Sequence, residues 1–190
     1  TADFGACGVV GPGGVREIGV HRLVVDRHGG FRGIDVVRAK SPEQSPLGSP
    51  VESLRVGLRE DEQRILARAL LEVGRALAAA GYHGPFGVDA WRHEDRDGRS
   101  AFQALGEINA RMTFGLVARA LAERVGDAVG WPEDAVIRLR LGKGEPGGGT
   151  HNRRRSGDPT TPDLLPLLRP GRDDPTCAWL ELARDPVDAE

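Results

Sequence analysis

The segment LGEINARMTFG, residues 105–115, sets a carboxylate, a carboxamide and a guanidinium at every second position: Glu107, Asn109 and Arg111. Side chains of an extended strand alternate between faces. The three therefore project from one side, while Ile108 and Ala110 go to the other and are expected to pack into the core. Upstream, FGVDAW carries Asp89. The midpoint between Asp89 and Glu107 is Gly98, in the polar turn EDRDGR, and a hairpin symmetric about that glycine brings Asp89 opposite Glu107 on the same face. Two carboxylates about 5 Å apart repel by roughly 3 kcal/mol at an effective dielectric of about 20, so a positive charge is expected between them. Arg111 can supply part of it. Two acids and an amide oxygen are also the hard donors that magnesium takes, its shell completed by phosphates and water. The economical tenant is then a nucleoside triphosphate bridged by Mg²⁺. The plainer alternative is a surface strand with alternating polar residues, in which Arg111 simply pairs with Glu107.

Elements that could hold these groups can be read on both sides of them. Residues 1–40 alternate apolar runs with glycine turns: FGACGVV, the turn GPGG, VREIGVHRLVVD, the turn RHGG, then FRGIDVV. Such close spacing predicts antiparallel hairpins. SPEQSPLGSP begins a connecting loop expected to run to about Leu54. EDEQRILARALLEVGRALAAAG predicts a helix with acids in its first turn, a buried face of Ile65, Leu66, Ala69, Leu70, Val73 and Leu77, and Gly81 as its stop. Two extended runs flank EDRDGR. TFGLVARALAERVG predicts a second helix, N-capped by Thr113, with an apolar stripe of Phe114, Val117, Leu121 and Val125. DAVIRLRLG reads as a strand, residues 143–175 as a long Gly- and Pro-rich loop, and TCAWLELA as a last strand. The fold class this order implies is α+β: a mainly antiparallel sheet with two packing helices. The division is a lobe over 1–142, a loop over 143–175, and a terminal strand and tail over 176–190.

GPFGVDAW followed by GEINAR resembles the C-terminal lobe of the ATP-grasp superfamily, the carboxylate-amine and carboxylate-thiol ligases. The resemblance is motif-specific over residues 82–114 and extends in layout over 3–142. It implies that Asp89, Glu107 and Asn109 hold the Mg²⁺ ions bridging the ATP phosphates, and that Arg111 faces the γ-phosphate or the acyl substrate. The activity implied is activation of a small carboxylate as an acyl phosphate for attack by an amine or other nucleophile. It implies further that a partner lobe, with the phosphate-binding lysines and much of the adenine pocket, lies ahead of residue 1 or comes from an oligomeric partner. The only lysines in this chain are Lys40 and Lys143. An alternative of another class is a truncated, non-catalytic structural or interaction module using the same polar hairpin face. A metal-dependent hydrolase is a weaker reading, because no histidine or further acid cluster completes a two-metal site without phosphate.

Composition narrows the partners. With 26 basic and 28 acidic residues mixed along 190 residues, the formal charge is −2, so no long-range field selects nucleic acid or an anionic membrane. Cys7 and Cys177 have neither C-x-x-C spacing nor a histidine at metal-ligand distance, which fits a reducing, cytoplasmic setting. No secretion signal or bilayer-spanning run is visible, and there is no initiating Met. LGKGEPGGGTHNRRRSG lacks the order of a phosphate loop and reads as a linker, its arginine run at 153–155 solvated. His21, His83 and His93 read as strand or turn residues, and Trp91, Trp131 and Trp179 as core or core-edge residues.

Overall fold

Tight glycine turns make neighbours of some strands, and the long connections make neighbours of the others. In the computed structural model, which describes residues 2–38, 50–143, 164–169 and 175–183, the elements in chain order are β1 (Ala2–Gly11), β2 (Gly14–Val25), β3 (Phe31–Val37), α1 (Pro50–Arg55), α2 (Glu60–Ala79), β4 (Gly84–Glu94), β5 (Ser100–Asn109), α3 (Phe114–Val129), β6 (Val136–Lys143), β7 (Leu164–Leu168) and β8 (Thr176–Ala183). The strands form one sheet in the order β5-β4-β1-β2-β3-β6-β8-β7, every neighbouring pair antiparallel. The α+β class is as the sequence implies.

The two long helices cover opposite faces. α2 packs Leu66, Leu70 and Val73 onto Phe4, Ala6, Phe86 and Val88. α3 packs Ala118 and Ala122 onto Ile34, Val36, Ile137 and Leu139. β1 lies between the two layers, which is why its residues Phe4 to Gly8 are buried without alternation. The N-terminus of α2 is fixed by Glu62, whose side chain accepts a hydrogen bond from the Arg59 backbone N–H at 2.9 Å and one from Arg92 Nε on β4 at 2.7 Å. Its other end closes with Tyr82 N–H donating to Leu77 O and Gly81 N–H to Ala78 O, the paired bonds of a Schellman ending, and Gly81 takes φ +83°. An L-residue there is strained: Gly81→Ala is expected to cost about 1 kcal/mol in urea unfolding, without altering the site.

Several elements differ from the sequence expectation. The span read as loop up to Leu54 ends in helix α1, so three helices are described rather than two. Strand β7 lies inside the span 143–175 read wholly as loop; the remainder of that span beyond Lys143, apart from Arg169 and Pro175, lies outside the described residues. On α2, Ile65 is 48% exposed instead of buried. On α3 the face against the sheet is Gly115, Ala118, Arg119, Ala122 and Gly126, while Phe114 and Val117 are exposed. The cause is close approach. A Cβ on Gly115 would lie 2.4 Å from the His21 ring and one on Gly126 2.5 Å from Arg38 Nε, so only small residues fit beneath this helix. Phe114 instead stacks on Phe31, ring centroids 5.3 Å apart.

Candidate metal and nucleotide site

The β4–β5 hairpin turns at Asp95–Arg99. Asp95 Oδ1 accepts the backbone N–H groups of Asp97 and Arg99, both at 2.9 Å, and Gly98 takes φ +73°. From Glu94↔Ser100 to Trp91↔Gln103 the pairing is symmetric about Asp97, not Gly98. A bulge then places Ala104, Leu105 and Gly106 against the single residue Ala90, and beyond it Asp89 faces Glu107, Val88 faces Ile108 and Gly87 faces Asn109. The pairing expected from sequence is present, but the bulge delivers it. Without those extra residues Leu105 would face Asp89. Gly106 makes room for the Trp91 ring, which a Cβ there would meet at 1.8 Å.

Asp89 and Asn109 are joined directly, Asn109 Nδ2 donating to Asp89 Oδ2 at 3.0 Å. Asn109 is buried and Glu107 is exposed. Burial raises the Asp89 carboxyl above its ordinary range and the Glu107 carboxylate raises it further; the Asn109 hydrogen bond and the Arg111 charge oppose this, and Asp3 adds a smaller upward push. Asp3, on β1, is a contributor the sequence reading missed. No local motif marks it; it comes near Asp89 only because β1 pairs with β4.

Arg111 does not share the strand face as expected. β5 ends at Asn109, and Arg111 sits in the following loop, exposed, its Nη1 donating to the Met112 carbonyl at 3.3 Å. Its charge still reaches Asp89. Nor do Ile108 and Ala110 enter the core. Ile108 is 48% exposed and Ala110 is exposed, because β5 is the sheet's edge strand and the buried cluster under α2 reaches it through Phe102.

Behind the carboxylates the packing is tight, with the buried Arg119 of α3 donating to the Val20 carbonyl at 3.2 Å. Gly5 pairs with Asp89, and the neighbouring Cys7 places Sγ 3.3 Å from Thr113 Oγ1 and 3.7 Å from His21 Nδ1. Thr113 is the N-cap residue of α3 by position, but its hydroxyl goes to Cys7 and makes no cap bond. Burial pushes the Cys7 thiol up to about 11, so it stays protonated and is no nucleophile at neutral pH. His21 is a buried strand residue, as expected for it, and Trp131 is buried, whereas Trp91 is 38% exposed beside the site.

The donor set suits a hard cation that keeps most of its shell for other ligands. Among the described residues no three His, Cys, Asp or Glu side chains gather to hold a metal by themselves. What is gathered is two opposed carboxylates, one made harder to ionise by the other, with an amide whose nitrogen is committed to Asp89 and whose oxygen is left to accept. Magnesium commonly takes one or two carboxylates and completes its octahedron with phosphate and water. The residues present therefore fit Mg²⁺ carried by a nucleotide.

No protein-family model matches the chain, and no curated protein does. Solved structures similar to it include a putative ATP-grasp superfamily protein from Archaeoglobus fulgidus, at 16% identity and TM-score 0.45, covering 96% of this chain and 46% of that one. A biotin carboxylase complex with β,γ-ATP from Campylobacter jejuni is similar at 12% identity and TM-score 0.47, covering 97% and 42%. N5-carboxyaminoimidazole synthase from Aspergillus clavatus, in complex with ADP and an aminoimidazole ribonucleotide, is similar at 13% identity and TM-score 0.43, covering 96% and 46%. The chain spans less than half the length of each. Among the described residues no helix is long and apolar enough to cross a membrane.

Proposed function

We propose that this chain is the Mg-ATP-binding part of an ATP-grasp-like ligase that activates a carboxylate as an acyl phosphate for attack by an amine or other nucleophile. The observation that carries the reading is the pairing of Asp89 with Glu107 across the hairpin, with Asn109 bonded to Asp89. When bound, Mg-ATP supplies an electrophilic γ-phosphoryl group whose charge the metal offsets. Asp89 and Glu107 are the carboxylates that would hold the cation. Asn109 fixes the Asp89 carboxylate through its Nδ2, and its side-chain oxygen would be a further ligand. Arg111, exposed in the following loop with its Nη1 on the Met112 carbonyl, would face the γ-phosphate or the acyl oxygens, where a guanidinium would offset charge developing in the transition state.

Titration calorimetry of ATP onto the full-length protein, with and without Mg²⁺, tests this. ATP should bind more tightly with the metal in the wild type, and Glu107→Ala should lose that difference. Equal Mg-ATP affinity in both proteins would count against the assignment. A non-catalytic interaction module finds support in the apolar surface beside the site, since Ile108, Met112 and Phe114 are 48%, 60% and 49% exposed. Turnover of ATP by the protein would exclude that reading.

A further inference from the structure

The sheet face opposite Asp89 carries a row of charges that the proposed reaction does not use. Arg22 pairs across the strands with Phe4 on one side and Asp35 on the other; Asp35 pairs with Arg138, and Arg138 with Glu181. Phe4 pairs with Ala90, so the row lies on the α2 side of the sheet and Asp89 on the other. All but one of these cations are satisfied. Asp35 is fully buried and gives both oxygens to Arg138, at 2.5 and 2.7 Å. Glu181 accepts from Arg140 Nε at 3.1 Å, and Arg92 is held by Glu62 and the Gly57 carbonyl. Arg22 remains. It is half-buried directly across from Asp35, yet among the described residues its guanidinium donates no hydrogen bond and makes no ion pair.

Arg22 lines a cavity of about 200 Å³ together with Asp3, Asp35, Arg138, Ala2 and Val24. Burial holds its guanidinium below the ordinary value; Asp35 and Asp3 only partly offset this, because Arg138 and Arg92 push the same way as burial. A guanidinium left half in solvent, with no acceptor of its own among the described residues, has N–H donors open to an anion that displaces water from them. We propose that this cavity binds a small carboxylate monoanion, gripped by the Arg22 guanidinium, with its hydrocarbon part against Ala2 and Val24. A guanidinium fork matches a carboxylate in plane. The cavity's two arginines, Arg22 and Arg138, face two carboxylates, Asp35 and Asp3, so the second charge of a phosphate would be set against both acids. The Arg22, Asp35 and Arg138 side chains lie on the sheet face opposite Asp89, so a ligand held by them is distinct from the carboxylate of the proposed reaction.

Amide NMR of the full chain titrated with propionate, with inorganic phosphate as comparator, tests the site. The expected result is saturable shifts at Asp3, Leu23, Val24 and Val25, a weaker response to phosphate, and a loss of about tenfold or more in propionate affinity in Arg22→Gln. Arg22→Lys keeps the charge without the fork and should weaken binding several-fold; it decides the matter if the Gln variant does not fold. Absence of saturation, wild-type affinity in the folded variants, or shifts centred on residues 89–109 would overturn the proposal. Phosphate binding tighter than propionate would overturn the carboxylate assignment.

Discussion

Asp89→Asn is expected to make the protein more stable at neutral pH and to lower its Mg²⁺-dependent affinity for ATP by about a hundredfold. Both halves follow from one arrangement. The folded state raises the Asp89 carboxyl through burial first and the facing Glu107 second. The sign runs accordingly. An acid whose folded pKa lies above its unfolded value adds stability that is fully present below the unfolded value, near 3.9, and is lost as pH rises through the folded one. At pH 7 the ionised Asp89 is therefore a burden on the fold, and asparagine, neutral at every pH, removes it while its amide still meets Asn109. Binding moves the other way. Groups that merely orient a metal ligand cost 10–100-fold on removal, so neutralising a carboxylate that touches the cation should cost at least the upper part of that range, about 10²-fold. Thermal melts with and without Mg-ATP measure both. The wild type should gain Tm on adding Mg-ATP and the variant should not. A variant that is less stable than wild type without ligand, yet still stabilised by Mg-ATP, would mean that the carboxylate pair is a structural feature with a local role.

Much of this site was legible in the sequence, for reasons that can be located. A period of two placed Glu107 and Asn109 on one face, and the glycine of EDRDGR marked the reversal, Gly98 taking the positive φ such a turn needs. The register was reached by a route the sequence hides. The turn is centred one residue earlier, and the bulge at residues 104–106 restores the pairing, because Gly106 must yield space to a Trp91 ring that arrives from the partner strand. No count along the chain shows that. Arg111 fell outside the strand because the ladder stops at Asn109, a boundary set by the entry into α3. The α3 stripe was misread for a related reason. Large apolar residues mark a buried face only when the neighbouring layer leaves room, and here His21 and Arg38 leave room only for Gly115 and Gly126. Ile108 was assigned to the core from its alternation, but burial also depends on what lies over an edge strand, a fact of tertiary structure. Asp3 was invisible as a neighbour of Asp89 because only the strand order places β1 beside β4.

The floor beneath the carboxylates makes the second large effect predictable. His21 is 4% exposed, its ring clamped between Gly5 and Gly115, where added Cβ atoms would lie 2.3 and 2.4 Å away, and its Nδ1 faces Cys7 Sγ. Burial, reinforced by the Arg119 charge, lowers its pKa to about 3. The imidazole is therefore neutral in the folded protein at any pH where the unfolded chain, near 6.5, takes up a proton. A base depressed in this way leaves stability intact above about pH 6.5 and drains it as pH falls towards the folded value. Between pH 7 and 5 the loss from this one residue should approach about 2 kcal/mol, growing by about 1.4 kcal/mol for the next pH unit. Raised acids such as Asp89 and Glu123 act with the opposite sign, gaining protons on folding as pH falls, so the His21 contribution is isolated as a difference. Urea unfolding of wild type and His21→Gln at pH 7, 6 and 5 provides it. The variant is expected to be less stable at pH 7, because the glutamine leaves space the ring filled, and to lose about 2 kcal/mol less than wild type on going to pH 5. Parallel pH dependences in the two proteins would show that the imidazole can be protonated in place, with the layer under Asp89 open enough to admit water and charge. In that case the desolvation invoked for Asp89 would fail with it, because both side chains lie on the same face of the sheet, one strand apart on either side of Gly5.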